Sequence, residues 1–371
     1  MDFAFNEEQE QLRSATRRFL EKRHPLVATR RSLESGDAFD RDAWREAASL
    51  GITAPLVPDE HGGGSVTGQP LVDLVVVAEE TGRVLYPGPF LATNVVAHAV
   101  GAAGSESHQS EILPRLARGD VVATWCFTED GTCDPAAVGA SVERRGAELR
   151  LDGVARFVPD AHVADLLLVT ARDGEALAQF LVPLPNERVT VRVLHGLDLT
   201  RKLCEVRFDG VTVSTADRLG AFEDLLDRQS EVAAVLLSAE SVGAAERVLE
   251  MTVEYAKVRV QFGRPIGSFQ AIKHKLADML ISLETCRAAA HYAALAVEER
   301  LPDAAEAVST AKSHIGDRVS ALCGEAVQIH GGIGFTWEHD MHLYLRRAKS
   351  NQVLFGDPAW HRERLCTLTG F

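Results

Sequence analysis

The chain has 371 residues and a mass of 40.3 kDa, which is too long for one ordinary hydrophobic core and predicts two or three. Hydrophobic residues make up 46% of the sequence and charged residues 25%, a balance that excludes a disordered protein. A formal net charge of -14 repels phosphate backbones and anionic lipid headgroups. We therefore expect neither nucleic acid nor a membrane surface as the main partner.

The export, membrane and metal signals are all missing from the sequence. No apolar run approaches the roughly 20 residues that a membrane-spanning helix needs. The segment from Met1 to Glu8 is acidic and lacks the basic region of an export signal. The cysteines show no C-x-x-C spacing, which predicts isolated thiols in a reducing compartment rather than a disulfide framework or a metal site. We therefore expect a cytoplasmic protein with no membrane span and no metal.

The first third of the chain has helical patterning. Asn6 can cap a first helix, with the Gln9 side chain reaching back in a capping box, and Pro25 lies just past the end of that helix. Asp40 can cap a second helix that Gly51 ends. Further helices are predicted over 72–82, 89–102 and 111–117.

Short strand-like runs follow, separated by Asp, Gly and Pro, and they predict a compact antiparallel sandwich or barrel. They cover 121–127, 148–158, 163–169, 179–182, 189–193 and 204–213. After Asp217 the helical period returns and persists to the end. The sequence thus predicts an α+β fold of three domains: a helical domain over 1–119, a β domain over 120–216 and a helical bundle over 217–371.

Three segments depart from simple core patterning. In the basic turn over 255–270, Arg259 and Arg264 can clamp a phosphate, while Phe262 and Gln270 can contact a planar, polar ligand. The glycines over 331–334 can let backbone N–H groups approach a phosphate. On the first strand, the Thr128 hydroxyl can meet the polar edge of a ring. Taken singly, the same residues are also explained by a solvated helix corner, a glycine helix cap and a strand leaving the core.

Together these segments resemble the acyl-CoA dehydrogenase family, and the resemblance extends over essentially the whole chain. The family's opening pattern F-x-E-E-Q-x-x-L-R runs from Phe5 to Arg13. Two motifs are the most specific, R-x-x-F-G followed by Gln, and Q-x-x-G-G-x-G. Their residues here are Arg259, Phe262, Gly263, Gln270, Gln328, Gly331, Gly332 and Gly334.

The resemblance implies a helical domain, a central β domain and a C-terminal four-helix domain, assembled as dimers or tetramers. It also implies FAD and a CoA thioester substrate. The family's reaction is α,β-desaturation, in which a carboxylate takes the α-proton and hydride passes to the flavin, and an electron-transferring flavoprotein then takes the electrons. The implied FAD contacts are Arg259, Phe262, Gln270, Gln328, Gly331, Gly332, Gly334, Thr128 and Val158.

The sequence departs from the family where the reaction takes place. Phe355 occupies the position of the family's catalytic Glu, and the alternative base position on the first helix of the bundle is Ala233. Neither side chain can accept a proton. The family's flavin-facing Trp-Ile-Thr becomes Phe157, Val158 and Pro159, and Pro159 has neither the hydroxyl nor the N–H that would meet flavin N5.

These departures predict a partner subunit in a heteromeric enzyme, because the family uses Arg259-type, Phe262-type and Gly332-type residues on FAD bound mainly by a neighbouring subunit. The family offers a precedent in actinobacterial α2β2 enzymes that act on steroid-derived CoA thioesters with one FAD per heterodimer. Two alternatives stay open. One is a self-sufficient enzyme, its partner a second copy of itself, with Glu240 or Asp357 as a displaced base; these residues could equally form an ion pair and an ordinary turn. The other is a scaffold subunit without FAD.

Overall fold

The computed structural model describes residues 5–35, 39–145, 148–220 and 225–371. Its first layer is helical. The predicted capping box is present, because the Gln9 N–H donates to Asn6 Oδ1 at 2.9 Å and the Asn6 N–H donates to Gln9 Oε1 at 3.1 Å. The helices are α1 (Glu7–Arg23), α2 (Leu26–Ser35), α3 (Arg41–Ser49), α4 (Pro70–Arg83), α5 (Phe90–Ala103) and α6 (Glu106–Ala117).

The helix α2 was not predicted, because Pro25 served only as a sign that α1 had ended. Proline is equally suited to the first turn of a new helix, where its missing N–H is not needed. In the structure the Ala28 N–H donates to the Pro25 carbonyl at 2.7 Å, so Pro25 begins the next turn. The predicted cap at Asp40 is confirmed, since Asp40 Oδ1 accepts from the Asp42 N–H at 2.9 Å.

The central layer is a seven-stranded sheet in the order β1-β4-β2-β3-β7-β6, and β5 pairs with β4 in antiparallel outside this order. It is mixed and not purely antiparallel as predicted, because β1 and β2 both pair with β4 in parallel. The strand β2 was missed since only Val142 in it is buried. The strands are β1 (Ala123–Cys126), β2 (Ser141–Arg145), β3 (Glu148–Pro159), β4 (Leu166–Asp173), β5 (Ala176–Pro183), β6 (Val189–Val193) and β7 (Leu203–Val213).

The third layer is a helical bundle, as predicted. A short ribbon of β8 (Val260–Gln261) and β9 (Arg264–Pro265) joins its first two helices. Among the described residues, no helix combines the length and apolarity that crossing a bilayer requires. The helices are α7 (Leu225–Val258), α8 (Gln270–Glu298), α9 (Ala304–His330), α10 (Met341–Val353) and α11 (Pro358–Thr369).

Helix α7 joins the two helical layers into one core. It packs against α4 so closely that a Cβ atom on Gly82 would lie 1.9 Å from the Glu240 carbonyl oxygen, and one on Gly243 would lie 1.8 Å from that of Glu79. Only glycine permits such an approach of two backbones. The middle of α7 is therefore buried on every side, which determines the environment of Glu240.

Candidate functional site

The position expected for the catalytic base lies in a buried turn between α10 and α11, here called the Phe355 turn (residues 354–357). Phe355 is 8% exposed and has a positive φ of 57°. Its ring stacks on Trp125, with centroids 6.1 Å apart and planes 14° apart, and Trp125 stacks on Phe127 at 4.4 Å. An aromatic stack thus fills the position at which the sequence predicts the family's carboxylate.

Backbone contacts hold the Phe355 turn in place. The Phe355 N–H donates to the Gly131 carbonyl at 3.2 Å, and His361 Nε2 lies 3.0 Å from the Phe355 carbonyl. Burial lowers the pKa of His361 to about 3, so the ring is neutral near pH 7 and can donate to that carbonyl. A Cβ on Gly356 would lie 2.7 Å from the Trp360 ring, so this turn requires glycine.

Lys312 fixes the turn from below. It is 2% exposed, and its Nζ donates to the carbonyls of Asn351, Gln352 and Gly356 at 2.9, 3.1 and 2.9 Å. Burial lowers the pKa of Lys312 to about 8. Because one ammonium group binds both the end of α10 and the turn itself, Phe355 is not free to swing out of the stack.

Glu240, the first of the two displaced candidates, is 4% exposed and forms two ion pairs, with Arg201 and Arg347. Arg347 also donates to Asp198 Oδ2 at 2.5 Å and to Thr200 Oγ1 at 2.6 Å. Burial alone would raise the pKa of Glu240, but the two guanidiniums outweigh it and hold that pKa below its usual range. The pKa of Glu240 is therefore not raised as a general base near pH 7 requires, and the geometry matches the alternative of a structural ion pair.

Asp357, the second candidate, is exposed and caps α11. Its Oδ1 accepts from the Trp360 N–H at 2.8 Å, a contact typical of an N-cap aspartate. On α7, Ala233 is completely buried among apolar side chains. Neither candidate carboxylate is therefore placed as a free base beside the Phe355 turn.

A third carboxyl group, that of Asp160, lies close to the ion pairs of Glu240 and was not predicted from the sequence. Asp160 follows Pro159 at the end of β3, is 4% exposed and has a positive φ of 56°. Its side chain makes no hydrogen bond within the described ranges. Burial raises the pKa of Asp160 to about 7, although Arg201 and Arg347 act to lower it. An aspartate in an otherwise apolar strand end was the available signal.

The residues expected beside the flavin ring are occupied by contacts within the chain. The Thr128 hydroxyl donates to the Thr132 carbonyl at 2.9 Å. Val158 is 2% exposed and paired with Cys204 across β3 and β7. The Pro159 carbonyl accepts from the Thr124 hydroxyl at 2.6 Å. The donors that a flavin ring would require at this edge are therefore absent or already used.

Six of the other expected FAD contacts are exposed, and together they form what we call the motif surface: Arg259, Phe262, Gln270, Gln328, Gly331 and Gly332. Phe262 is 92% exposed, at a positive φ of 53°. Arg259 has no ion-pair partner in the described part of the chain. A Cβ on Gly331 or Gly332 would meet nothing within 4 Å, so a ligand can approach the backbone there.

A groove of about 350 Å³ brings two members of the motif surface together, since Phe262 and Gln328 both line it. Gly334 differs from its neighbours: it is buried, and a Cβ there would lie 3.0 Å from the Val327 carbonyl, so it shapes the backbone. An unpaired guanidinium, an exposed ring and an open glycine pair fit the phosphates and aromatic base of a dinucleotide tail.

Comparison with known proteins agrees with this reading. The family models "Acyl-CoA dehydrogenase, N-terminal domain" and "Acyl-CoA dehydrogenase, C-terminal domain" match residues 6–120 and 227–366. Acyl-CoA dehydrogenase IpdE2 of Mycolicibacterium smegmatis is 34% identical over 361 residues, which cover 97% of this chain and 98% of the relative.

Two solved structures share the fold at 29% sequence identity. The ChsE4-ChsE5 complex from Mycobacterium tuberculosis has a TM-score of 0.89, and the match covers 100% of this chain and 99% of the matched chain. The Tcur3481-Tcur3483 steroid ACAD has a TM-score of 0.88 and covers 98% of each chain. The chain therefore belongs to the acyl-CoA dehydrogenase family of FAD-dependent oxidoreductases, which act on the CH–CH bond of an acyl-CoA.

Proposed function

We propose that this chain is the subunit without a standard catalytic base in a heteromeric acyl-CoA dehydrogenase. In this proposal it binds the nucleotide tail of FAD whose ring is held mainly by a second, related chain. The observation that carries the proposal is the Phe355 turn, where a stacked phenylalanine fills the base position. The motif surface, by contrast, is exposed and free to bind.

Four residues of the motif surface have a chemical task in this proposal. The Arg259 guanidinium binds a phosphate oxygen through charge-assisted hydrogen bonds. Phe262 offers a ring face for stacking, and Gly331 and Gly332 leave room for the backbone to approach the pyrophosphate. FAD, when bound, would supply the acceptor for the hydride that leaves the substrate. The base that takes the α-proton then comes from the second chain.

The comparisons support a two-chain assembly and a bulky substrate. The ChsE4-ChsE5 complex is named for two different chains, and the Tcur3481-Tcur3483 structure is called a steroid ACAD. We infer an α2β2 assembly that oxidises the CoA thioester of a branched or polycyclic acid and passes electrons to an electron-transferring flavoprotein. The cysteines that the structure describes are free, and all but Cys366 are buried. Free thiols are typical of a reducing compartment, so we infer that the protein is located in the cytoplasm.

Co-expression tests the proposal. We expect FAD and acyl-CoA oxidation only when the chain is produced with a second dehydrogenase-like subunit, with one FAD per heterodimer. Arg259→Ala should lower the FAD content of that complex. The control is Arg318→Ala, which removes an exposed arginine on α9 and should leave the FAD content unchanged. A chain that alone binds FAD in every protomer and oxidises an acyl-CoA at a normal rate would contradict the proposal. A complex that keeps its activity after Arg259→Ala would favour the scaffold role.

The environment of Asp160 favours the alternative of a self-sufficient enzyme. Its pKa of about 7 suits a general base, and it directly follows the strand end that faces the flavin in the family. If the chain alone is active, Asp160→Asn should abolish that activity while Asp357→Asn should leave it intact. If the chain alone is inactive, this alternative is excluded.

A further inference from the structure

A separate cavity of about 420 Å³ lies between the loop over 55–68, α5, α7 and the end of α8. None of the expected FAD or base residues lines it. Its volume falls in the range of small-molecule sites. Its apolar wall includes Leu71, Val232 and Val297, all buried. The cavity therefore offers a hydrocarbon-binding surface that the proposed function does not use.

Two arginines line this cavity, Arg228 on α7 and Arg300 just after α8. Within the described ranges, neither forms an ion pair with a carboxylate. In another cavity, beside α1, the arginines Arg17, Arg83 and Arg247 are each paired with a glutamate. In a chain with 53 acidic and 39 basic residues, two unpaired guanidiniums at one cavity indicate a site for an anion from outside.

Two carboxylates also line the cavity, and neither neutralises the arginines. Glu298 accepts from the Leu71 N–H at 2.6 Å, so its charge is used at the positive end of α4. Asp59 is exposed at the rim. Their negative charges disfavour a dianion such as a phosphate monoester, and they leave a monoanion as the ligand that fits best.

His98 adds a polar group without a partner. Its Nε2 atom is buried and has no hydrogen-bond partner among the described residues. Burial, and then Arg228 and Arg300, lower the pKa of His98 to about 4, so the ring is neutral near pH 7. A buried ring nitrogen without a partner indicates a ligand or a water molecule in the cavity it lines.

We propose that this cavity binds an apolar monocarboxylic acid, with the carboxylate between Arg228 and Arg300 and beside His98, and the hydrocarbon body against Leu71, Val232 and Val297. The two guanidiniums supply charge-assisted hydrogen bonds, and the apolar wall supplies the hydrophobic contribution. The site is distinct from the Phe355 turn and the motif surface, so the acid binds without displacing FAD.

Calorimetry of the assembled holoenzyme with octanoate tests the proposal. We expect saturable binding that is tighter than that of acetate or of 1-octanol, which each lack one half of the recognised chemistry. Arg228→Gln and Arg300→Gln should each weaken octanoate binding by about tenfold or more. Arg318→Gln is the matched control and should change nothing. The flavin absorption spectrum should stay unchanged, which separates this site from the acyl site.

A second measurement reports on His98 directly. When a bound carboxylate offsets the positive charges of Arg228 and Arg300, the pKa of His98 should rise, because both guanidiniums act to lower it. Nuclear magnetic resonance of the ring proton, assigned with His98→Asn, would detect the shift. The proposal is overturned if octanoate does not bind saturably, if both arginine variants bind it unchanged, or if inorganic phosphate binds and octanoate does not.

Discussion

The Phe355 turn and the motif surface both carry family motifs of the C-terminal bundle, and they differ in their physical state. Phe355 is 8% exposed and stacked, whereas Phe262 is 92% exposed. Burying a phenylalanine stabilises a protein by about 2 kcal/mol, so keeping Phe262 in water forgoes that stabilisation. The Phe355 turn is packed within this chain, whereas the motif surface is exposed to solvent.

The largest effect on the free energy of unfolding is expected at the buried ion pairs of Arg347. Arg347→Ala leaves Glu240 and Asp198 buried without their shared partner, which should lower the free energy of unfolding by about 3–5 kcal/mol. Arg362→Ala breaks an exposed pair with Asp317 and should cost less than about 1 kcal/mol. Chemical denaturation of the assembled protein measures both. Equal losses would mean that the Arg347 pairs are not desolvated.

The two phenylalanines test the comparison directly. Phe355→Ala should lower the free energy of unfolding by about 3 kcal/mol, because it removes a stacked ring from a packed turn. Phe262→Ala should change that free energy by less than about 0.5 kcal/mol and should lower the FAD content instead. Denaturation and flavin absorbance on the same samples give both quantities. If Phe262→Ala destabilised the protein as much as Phe355→Ala, the contrast between the regions would be lost.

Local patterns predicted most of the fold. The capping box at Asn6, the cap at Asp40 and the helical bundle depend on residues close in sequence, whose geometry repeats between proteins. The strand β2 was missed because its last three residues are charged and exposed, so it lacks the alternation of apolar residues that predicts a strand. The parallel pairing of β1 with β4 was missed because strand order depends on long-range packing that a local pattern does not encode.

The sequence alone placed Phe355 at the position expected for the base, but it did not reveal what surrounds that position. Phe355 could be placed by counting from Gly356. The partners of Glu240 lie 39 and 107 residues away, so the sequence could offer an ion pair only as an alternative. Asp160 was missed for the same reason, since its raised pKa arises from burial between parts of the chain that are distant in sequence.

Acid should destabilise the Phe355 turn by protonating His361. Its pKa of about 3 lies below the ordinary value of 6.5, so the unfolded chain binds more protons between these two pH values. The stability that the neutral ring contributes is present above pH 6.5 and is lost as pH falls towards 3, by at most about 1.4 kcal/mol per pH unit. Denaturation of the wild type and of His361→Asn across this range isolates the contribution. Parallel pH profiles would refute it.

The smallest effect on stability is expected at the glycines of the motif surface, where the effect on binding is the informative one. A Cβ on Gly332 meets nothing within 4 Å, so Gly332→Val should leave the free energy of unfolding within about 0.5 kcal/mol of the wild type. The same side chain would keep a pyrophosphate from the backbone and should lower FAD content. Gly334→Val is the matched control, because its side chain would press on the Val327 carbonyl at 3.0 Å and should destabilise the fold. A Gly332→Val complex that retains its full FAD content would show that the open glycines serve the fold alone.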